Sequence, residues 1–379
     1  MYRGLTLTEL AKRTEISKQS ISLYENDNNT PDHLKVRLLA SELNFPYDYF
    51  FQKDSYVAKT ETTYFRSLAS ATKKDRISQN LKLEYVAKMY EILLEYISFP
   101  DMNLPPVNFE GYDDVFECES AEAVQEIENI AEEVRKYWEI GTEPIADLQY
   151  LLEKNGLILT GFSTNENKID AFSQRTIVAG NDIYFIAVAL GNRPEGRIHF
   201  DMAHELGHIL LHPWSEDLEA ITKDEFKSRE RQANMFASAF LLPSSSFGKD
   251  VAAYPTDLKY YQFLKNKWKV SIQAMIYRTH QLGIMSDNQY QYLMRQVSKN
   301  GWRQKEPGDE PYRLNESIFQ GAIDLLIEEN IYSAKEILDL FKRNGVTLYS
   351  TDIEELLHLR PDTLQVKEKI IPILQLRKK

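Results

Sequence analysis

The stretch His204-Glu205-Leu206-Gly207-His208 constrains this chain more than any other. Two histidines four residues apart fall on one face of a helix, one turn above the other. Ile198, Met202, Leu206, Ile209 and Leu210 recur around them at helical spacing, so the segment reads as a largely apolar helix. Either the imidazoles are hydrogen-bonded and partly buried, or both bind one metal ion. In the second case Glu205 stands beside the first ligand, where its carboxylate reaches a water on the ion. That arrangement suits metal-assisted hydrolysis.

A hydrolytic centre of this kind needs a third ligand from another element and one open coordination position. Glu230 is the residue that fits. It opens a second helical pattern in which Glu230, Ala233, Asn234 and Ala237 share a face. The alanines allow close approach to the histidine helix. Asn234, one turn after Glu230, is placed to accept the free ring N–H of a ligand histidine and fix its tautomer. Asp201 suits a similar outer position, or equally a solvated helix face. His212 reads as a packed or surface histidine rather than a fourth ligand.

The run from Arg197 through His212, followed by Glu230, Ala233-Asn234, Phe236-Ala237 and Leu241-Leu242-Pro243, resembles the ImmA/IrrE family of metallopeptidases. Further matching pieces are Glu143-Pro144-Ile145, Gly156-Leu157-Ile158-Leu159, Ile169 to Ser173, Val270 to Arg278 and Gly301-Trp302-Arg303. The likeness covers roughly residues 121–305 and keeps the family's motif order. It implies a gluzincin-like site with His204, His208 and Glu230 as ligands and Glu205 as general base. It also implies a substrate: a helix-turn-helix repressor cut at one bond, relieving repression of stress, phage or mobile-element genes. The cofactor expected is one divalent ion, Zn²⁺ first, with Mn²⁺ or Fe²⁺ compatible with the same donors.

Composition sets the outer bounds. The 379 residues exceed one ordinary domain, and 43 % hydrophobic content suffices for a real core. A net charge of −12 leaves no global footprint for nucleic acid, so any DNA contact must be local. The single cysteine, Cys118, excludes an internal disulfide and any multi-cysteine metal site. Neither a signal peptide nor a membrane span is legible, which points to the cytoplasm and to no membrane partner.

The N-terminal stretch reads as short helices. Thr6 and Glu9 form a capping box before a helix at 7–13, and Ser17 caps a second at 18–25. Leu7, Leu10, Ala11, Ile16, Ile21 and Leu23 make the inner seam, and a third helix follows Pro31 with Val36, Leu38, Leu39, Ala40 and Leu43 facing in. The pattern resembles the Cro/repressor (XRE) type of helix-turn-helix, which implies that Lys18, Gln19, Ser20 and Ser22 face the major groove. The type's usual first helix would precede Met1, and Glu15 stands where glycine is common. Residues 1–54 carry seven Lys/Arg against eight Asp/Glu, a poor balance for neutralising phosphates. DNA binding and a purely protein-docking or dimerising bundle both remain open, and a homodimer is compatible with either.

The expected fold class is α+β, mostly α. A helix-turn-helix lacking its first helix spans 1–54, a helical connector and linker 55–120, a zincin-like metallopeptidase domain with a small sheet 121–305, and a helical region 306–379. Strands are expected at 157–162 and 182–189, with a third at 175–178. The strand at 183–190 runs into the metal helix and is either the sheet edge that holds an extended substrate or an internal strand. Tyr277, Arg278 and His280 are options for steadying an oxyanion, although packing suits them as well. The competing reading is a non-catalytic transcription regulator or sensor that uses the peptidase fold to bind a partner or ligand.

Overall fold

The computed structural model describes residues 2–52, 60–65, 73–114, 116–162, 170–191, 193–214, 221–312 and 314–365. Residues 66–68 of the connector, Ile169 of the family motif and the C-terminal region beyond 365 lie outside the described residues. In chain order the elements are α1 (Leu7–Thr14), α2 (Lys18–Glu25), α3 (His33–Leu43), β1 (Thr60–Phe65), α4 (Lys73–Leu94), α5 (Ala121–Tyr137), α6 (Leu148–Lys154), β2 (Ile158–Phe162), β3 (Ala171–Val178) and β4 (Asn181–Ala189). There follow α7 (Glu195–Leu211), α8 (Lys223–Leu241), α9 (Ser244–Ala252), α10 (Leu258–Trp268), α11 (Ile272–Gln281), α12 (Asp287–Lys299), α13 (Ile318–Glu328), α14 (Ala334–Arg343) and α15 (Ser350–Leu356). They group into two compact units, one of Met1–Gly4 with Ala58–Ile318 and one of Leu5–Val57 with Phe319–Lys379.

In the second unit the terminal helices of the chain come together. The Thr6 capping box forms as the sequence predicts, with Thr6 N–H donating to Glu9 and Glu9 N–H to Thr6 Oγ1. Ser17 caps α2 through Ser20 N–H. Leu10, Ile16, Ile21 and Leu39 form the core of the three short helices. Two expected core positions turn outward instead: Leu23 and Leu38 are exposed. Helices of 8 and 11 residues bury only a narrow stripe, and Ile21 and Leu39 already fill it. Glu15 closes α1 at φ 56°, the left-handed region that explains glycine's frequency in this turn. The C-terminal helices attach to this bundle through Lys342 Nζ, 2.6 Å from Asp48, and Tyr349 OH, which donates to the Phe45 carbonyl at 3.4 Å.

The first unit is built on a sheet of order β1-β3-β4-β2. The two-residue turn Ala179-Gly180, both at positive φ, closes the antiparallel β3–β4 hairpin at the Val178–Asn181 pair. β2 runs parallel to β4 on its other side, with Ile158 opposite Phe185 and Phe162 opposite Ala189. β4 is therefore internal, and the expectation that it offers a free edge for substrate is wrong. Its adjacency to α7 in sequence carried that expectation, whereas pairing with β2 is non-local. The unexpected strand β1, from the connector, pairs antiparallel with the outer edge of β3.

Both faces of the sheet are covered. On one, Ile186 and Val188 join Ile198, Met202 and Leu206 of α7, with Phe236 and Phe240 of α8, in a single core. On the other, Tyr90 of α4 meets Phe185 edge-on, with ring centroids 6.1 Å apart. This double covering explains why every residue of β2 is buried. Trp138, Leu148, Leu152, Trp268 and Met275 extend the α7 side of the core.

α6 also holds the segment before α13. Gln149 exchanges hydrogen bonds with the Asn315 backbone in both directions, and Ile318 N–H donates to Glu153 at 3.4 Å. Burial pushes the Glu153 carboxyl up to about 8, against the hydrogen bonds from Ile318 and Gln149. A carboxyl raised in the folded state contributes stability below its unfolded value of about 4.5 and loses it as pH climbs toward 8. Glu153→Gln keeps the acceptor oxygen and removes the titration. The variant is expected to match the parent at pH 5 and to exceed it by on the order of 2–4 kcal/mol at pH 8, read from urea midpoints. Equal midpoints at pH 8 would contradict this assignment.

Candidate metal centre

Helix α7 presents His204 and His208 on one face, and α8 brings Glu230 to them. The two helices meet where Gly207 faces Ala233: a Cβ built on Gly207 would lie 3.1 Å from the Ala233 Cα, so no bulkier residue fits without displacing backbone. That close crossing sets the spacing of the three side chains. His204 Nε2 lies 3.0 Å from His208 Nε2 and 3.5 Å from Glu230 Oε2, and His208 Nε2 lies 3.2 Å from Glu230 Oε1. Among the described residues this trio is the group of His, Cys, Asp or Glu side chains whose donor atoms converge within 4.8 Å.

Hydrogen bonding at the back of each ring determines what the converging atoms are. Gln232 Nε2 donates to the Tyr112 carbonyl at 2.6 Å and to Ser228 Oγ at 2.9 Å, which turns its oxygen toward His212 Nε2, 3.2 Å away. His212 Nε2 must therefore carry a proton. Burial, followed by the nearby His208 and Arg229, holds His212 well below the usual histidine range, so the ring is neutral and its Nδ1 is a lone pair. That lone pair lies 2.9 Å from His208 Nδ1, which must donate, leaving His208 Nε2 as a lone pair.

The other ring follows the same logic. Asn234 Nδ2 donates to the Glu230 carbonyl at 2.7 Å, aiming its oxygen at His204 Nδ1, 3.1 Å away. His204 Nε2 is then a lone pair too. Glu230 turns Oε2 toward His204 Nε2 and Oε1 toward His208 Nε2. Three electron-pair donors thus converge with no proton assigned between them. Ring lone pairs and a carboxylate facing one another in a largely buried site suit a cation. Donors bonded tetrahedrally at about 2.0–2.1 Å sit roughly 3.3 Å apart, a spacing that the observed distances bracket.

Glu205 is fully buried beside this group and accepts a hydrogen bond from Ser173 Oγ of β3 at 2.7 Å. Asp201, placed by the sequence near the same stripe, pairs with Arg193 at 3.8 Å and Arg197 at 3.7 Å instead of backing a ring. Arg197, one turn earlier on α7, had been the visible signal for that pairing. Arg278 grips Glu128 with both guanidinium ends and the Leu242 carbonyl, and His280 sits 2.6 Å from Asp287, so both serve packing. Tyr277 is half-exposed and lines a cavity of about 630 Å³ shared with Phe200, Asn234 and Met235. On α2, Lys18 and Gln19 are exposed, whereas Ser20 is turned back onto Ser17 at 2.8 Å and Ser22 is half-buried.

Three partners escaped the sequence reading. His212 stood in view, one turn past His208, but its role depends on Gln232. Ser173 belongs to a strand whose facing could not be read from sequence alone, and Tyr112 acts through a backbone carbonyl, which leaves no sequence signal.

Residues 160–280 match the family model of the IrrE N-terminal-like domain, peptidase family M78. The match includes His204, Glu205, His208 and Glu230, together with Ser173, His212, Gln232 and Asn234. It supports a peptidase, in a family that is generally metal-dependent, and the geometry of the IrrE-like domain fits that chemistry. Residues 2–55 match a helix-turn-helix domain, so the chain joins the two modules. No curated protein matches the chain. Among the described residues, no helix is long and apolar enough to cross a membrane.

Proposed function

We propose that this chain is a metal-dependent endopeptidase fused to a helix-turn-helix, and that its substrate is a helix-turn-helix repressor. The observation that carries the reading is the convergence of two imidazoles, each hydrogen-bonded from behind, on the half-buried Glu230 carboxylate. His204, His208 and Glu230 would hold the ion, with Zn²⁺ suited to two nitrogens and one oxygen. The ion supplies Lewis acidity at the scissile carbonyl. Glu205 takes the proton from the attacking water and hands it to the leaving amine nitrogen. Ser173 Oγ fixes the Glu205 carboxylate for both transfers. Asn234 and His212 hold the two rings in the tautomers that leave Nε2 unprotonated.

The test is direct. The zinc-loaded chain, incubated with a repressor encoded beside it, is expected to yield two discrete fragments, and a chelator is expected to stop the cut. A repressor that survives intact under conditions where the chain retains zinc would count against the substrate assignment.

The helix-turn-helix is proposed to contact DNA through Lys18 and Gln19, the exposed residues at the start of α2. Its charge balance leaves few phosphate contacts, which makes the contact weak. Lys18→Ala is expected to reduce a mobility shift on the promoter of the same locus at low salt. No shift by the parent chain at any salt would favour a protein-docking role for the bundle.

A further inference from the structure

The sheet beside the metal centre is complete without β1. β3, β4 and β2 are paired with one another and covered on both faces, by α4 and by α7 with α8. β1 comes from the connector after the helix-turn-helix and adds itself to the remaining edge of β3. Its ladder sets Thr63 opposite Gln174, Tyr64 opposite Ser173 and Phe65 opposite Phe172, with a shift in register between Thr60 and Thr63. An interrupted ladder on an edge is the kind of pairing that exchanges most readily.

Position gives this pairing its meaning. Ser173, the residue opposite Tyr64, is the residue whose hydroxyl donates to Glu205. Neighbouring strands lie about 4.8 Å apart. The line that β1 follows is therefore the line along which an extended peptide, hydrogen-bonded to β3, passes Glu205. Sheet edges recruit extended peptides through main-chain hydrogen bonds, and the threonine-rich, aromatic run of residues 60–65 has the composition of such a strand. We infer that β1 is an intramolecular competitor: residues 60–65 occupy the edge of β3 that an extended segment of the protein substrate must take. Substrate engages by strand exchange, and the class of segment it presents is β-forming and main-chain-paired rather than helical. The inference rests on the peptidase reading for what happens at the edge, but not for the exchange itself.

The probe is a fluorescein-labelled peptide of residues 58–68, added to the full chain in a chelator so that no hydrolysis intervenes. Two full-length variants open the edge: Thr63→Pro with Tyr64→Pro, which removes the ladder donor whichever of the two adjacent residues turns its N–H to β3, and one in which residues 60–65 become a glycine-serine run of equal length. Both are expected to bind the peptide at least about tenfold tighter than the parent by fluorescence anisotropy, the effect of weakening the pairing that competes for the edge of β3. Without peptide, hydrogen exchange at residues 172–176 is expected to be slower in the parent than in either variant. With zinc restored, both variants are expected to cut the repressor faster than the parent. Equal peptide affinity in parent and variants would overturn the inference, as would exchange at 172–176 no slower in the parent than in the variants. Mass-spectrometric detection of a cut within 60–65 of the parent would also overturn it, since β1 would then be substrate. Peptide capture by the variants without cleavage of any repressor would sink the peptidase reading and leave the exchange standing.

Discussion

Glu205→Gln is expected to lower the rate of repressor cleavage by roughly 10²–10⁴-fold, the usual worth of a general base, while zinc content stays unchanged. The substitution is close to isosteric, so the fully buried pocket keeps its shape, and Ser173 Oγ can still donate to the remaining side-chain oxygen. What disappears is a site able to accept a proton from water and return it to nitrogen. The loss should fall on kcat rather than KM, since Glu205 acts on the reacting atoms and not on the rest of the bound substrate. A fully active variant would remove Glu205 from the mechanism. A variant that loses zinc along with activity would show that the residue serves the ion rather than the proton.

Glu230→Ala is expected to abolish stoichiometric zinc after dialysis, with a larger effect on affinity than any change behind the rings. The structure predicts a ranking. Removing a converging donor leaves two imidazoles alone, whereas His212→Phe leaves the trio intact but frees His208 from its fixed tautomer. Such outer partners contribute roughly 10–100-fold in metal affinity, and His212→Phe is expected to fall in that range. Thermal unfolding gives a second reading of the same ranking. Zinc at 100 times its dissociation constant adds about 2.7 kcal/mol to the parent. The gain should shrink for His212→Phe and vanish for Glu230→Ala. If packing alone explained these residues, both variants would melt lower with or without zinc and the zinc-dependent increment would be the same in all three proteins.

Periodicity made the local elements legible. Four-residue spacing put His204 and His208 on one face, and the Glu230-Ala233-Ala237 stripe announced a second helix able to come close; the structure brings the three side chains within 4.8 Å. The capping box at Thr6 and the cap at Ser17 form from signals that span only a few residues. What sequence could not reveal is set at long range. β4 reads as a possible edge because it precedes α7, yet its neighbour β2 is fixed by a parallel pairing that no local pattern encodes. β1 pairs with residues more than a hundred positions away. The support behind His208 runs through Gln232 to the carbonyl of Tyr112, an atom every residue possesses. Asp201 illustrates the opposite case: its arginine partners Arg193 and Arg197 were local and readable, and the pull of a nearby metal motif obscured them.

The central claim is that two ring nitrogens and one carboxylate grip a single ion. Zinc K-edge absorption on the purified, dialysed full chain tests it most directly. The account predicts one zinc per chain, a first shell of nitrogen and oxygen at about 2.0–2.1 Å, outer scattering from two imidazoles, and loss of that scattering in a chain carrying His204→Ala and His208→Ala. A chain that retains no zinc, or a zinc whose imidazole signal persists in that double variant, would contradict it.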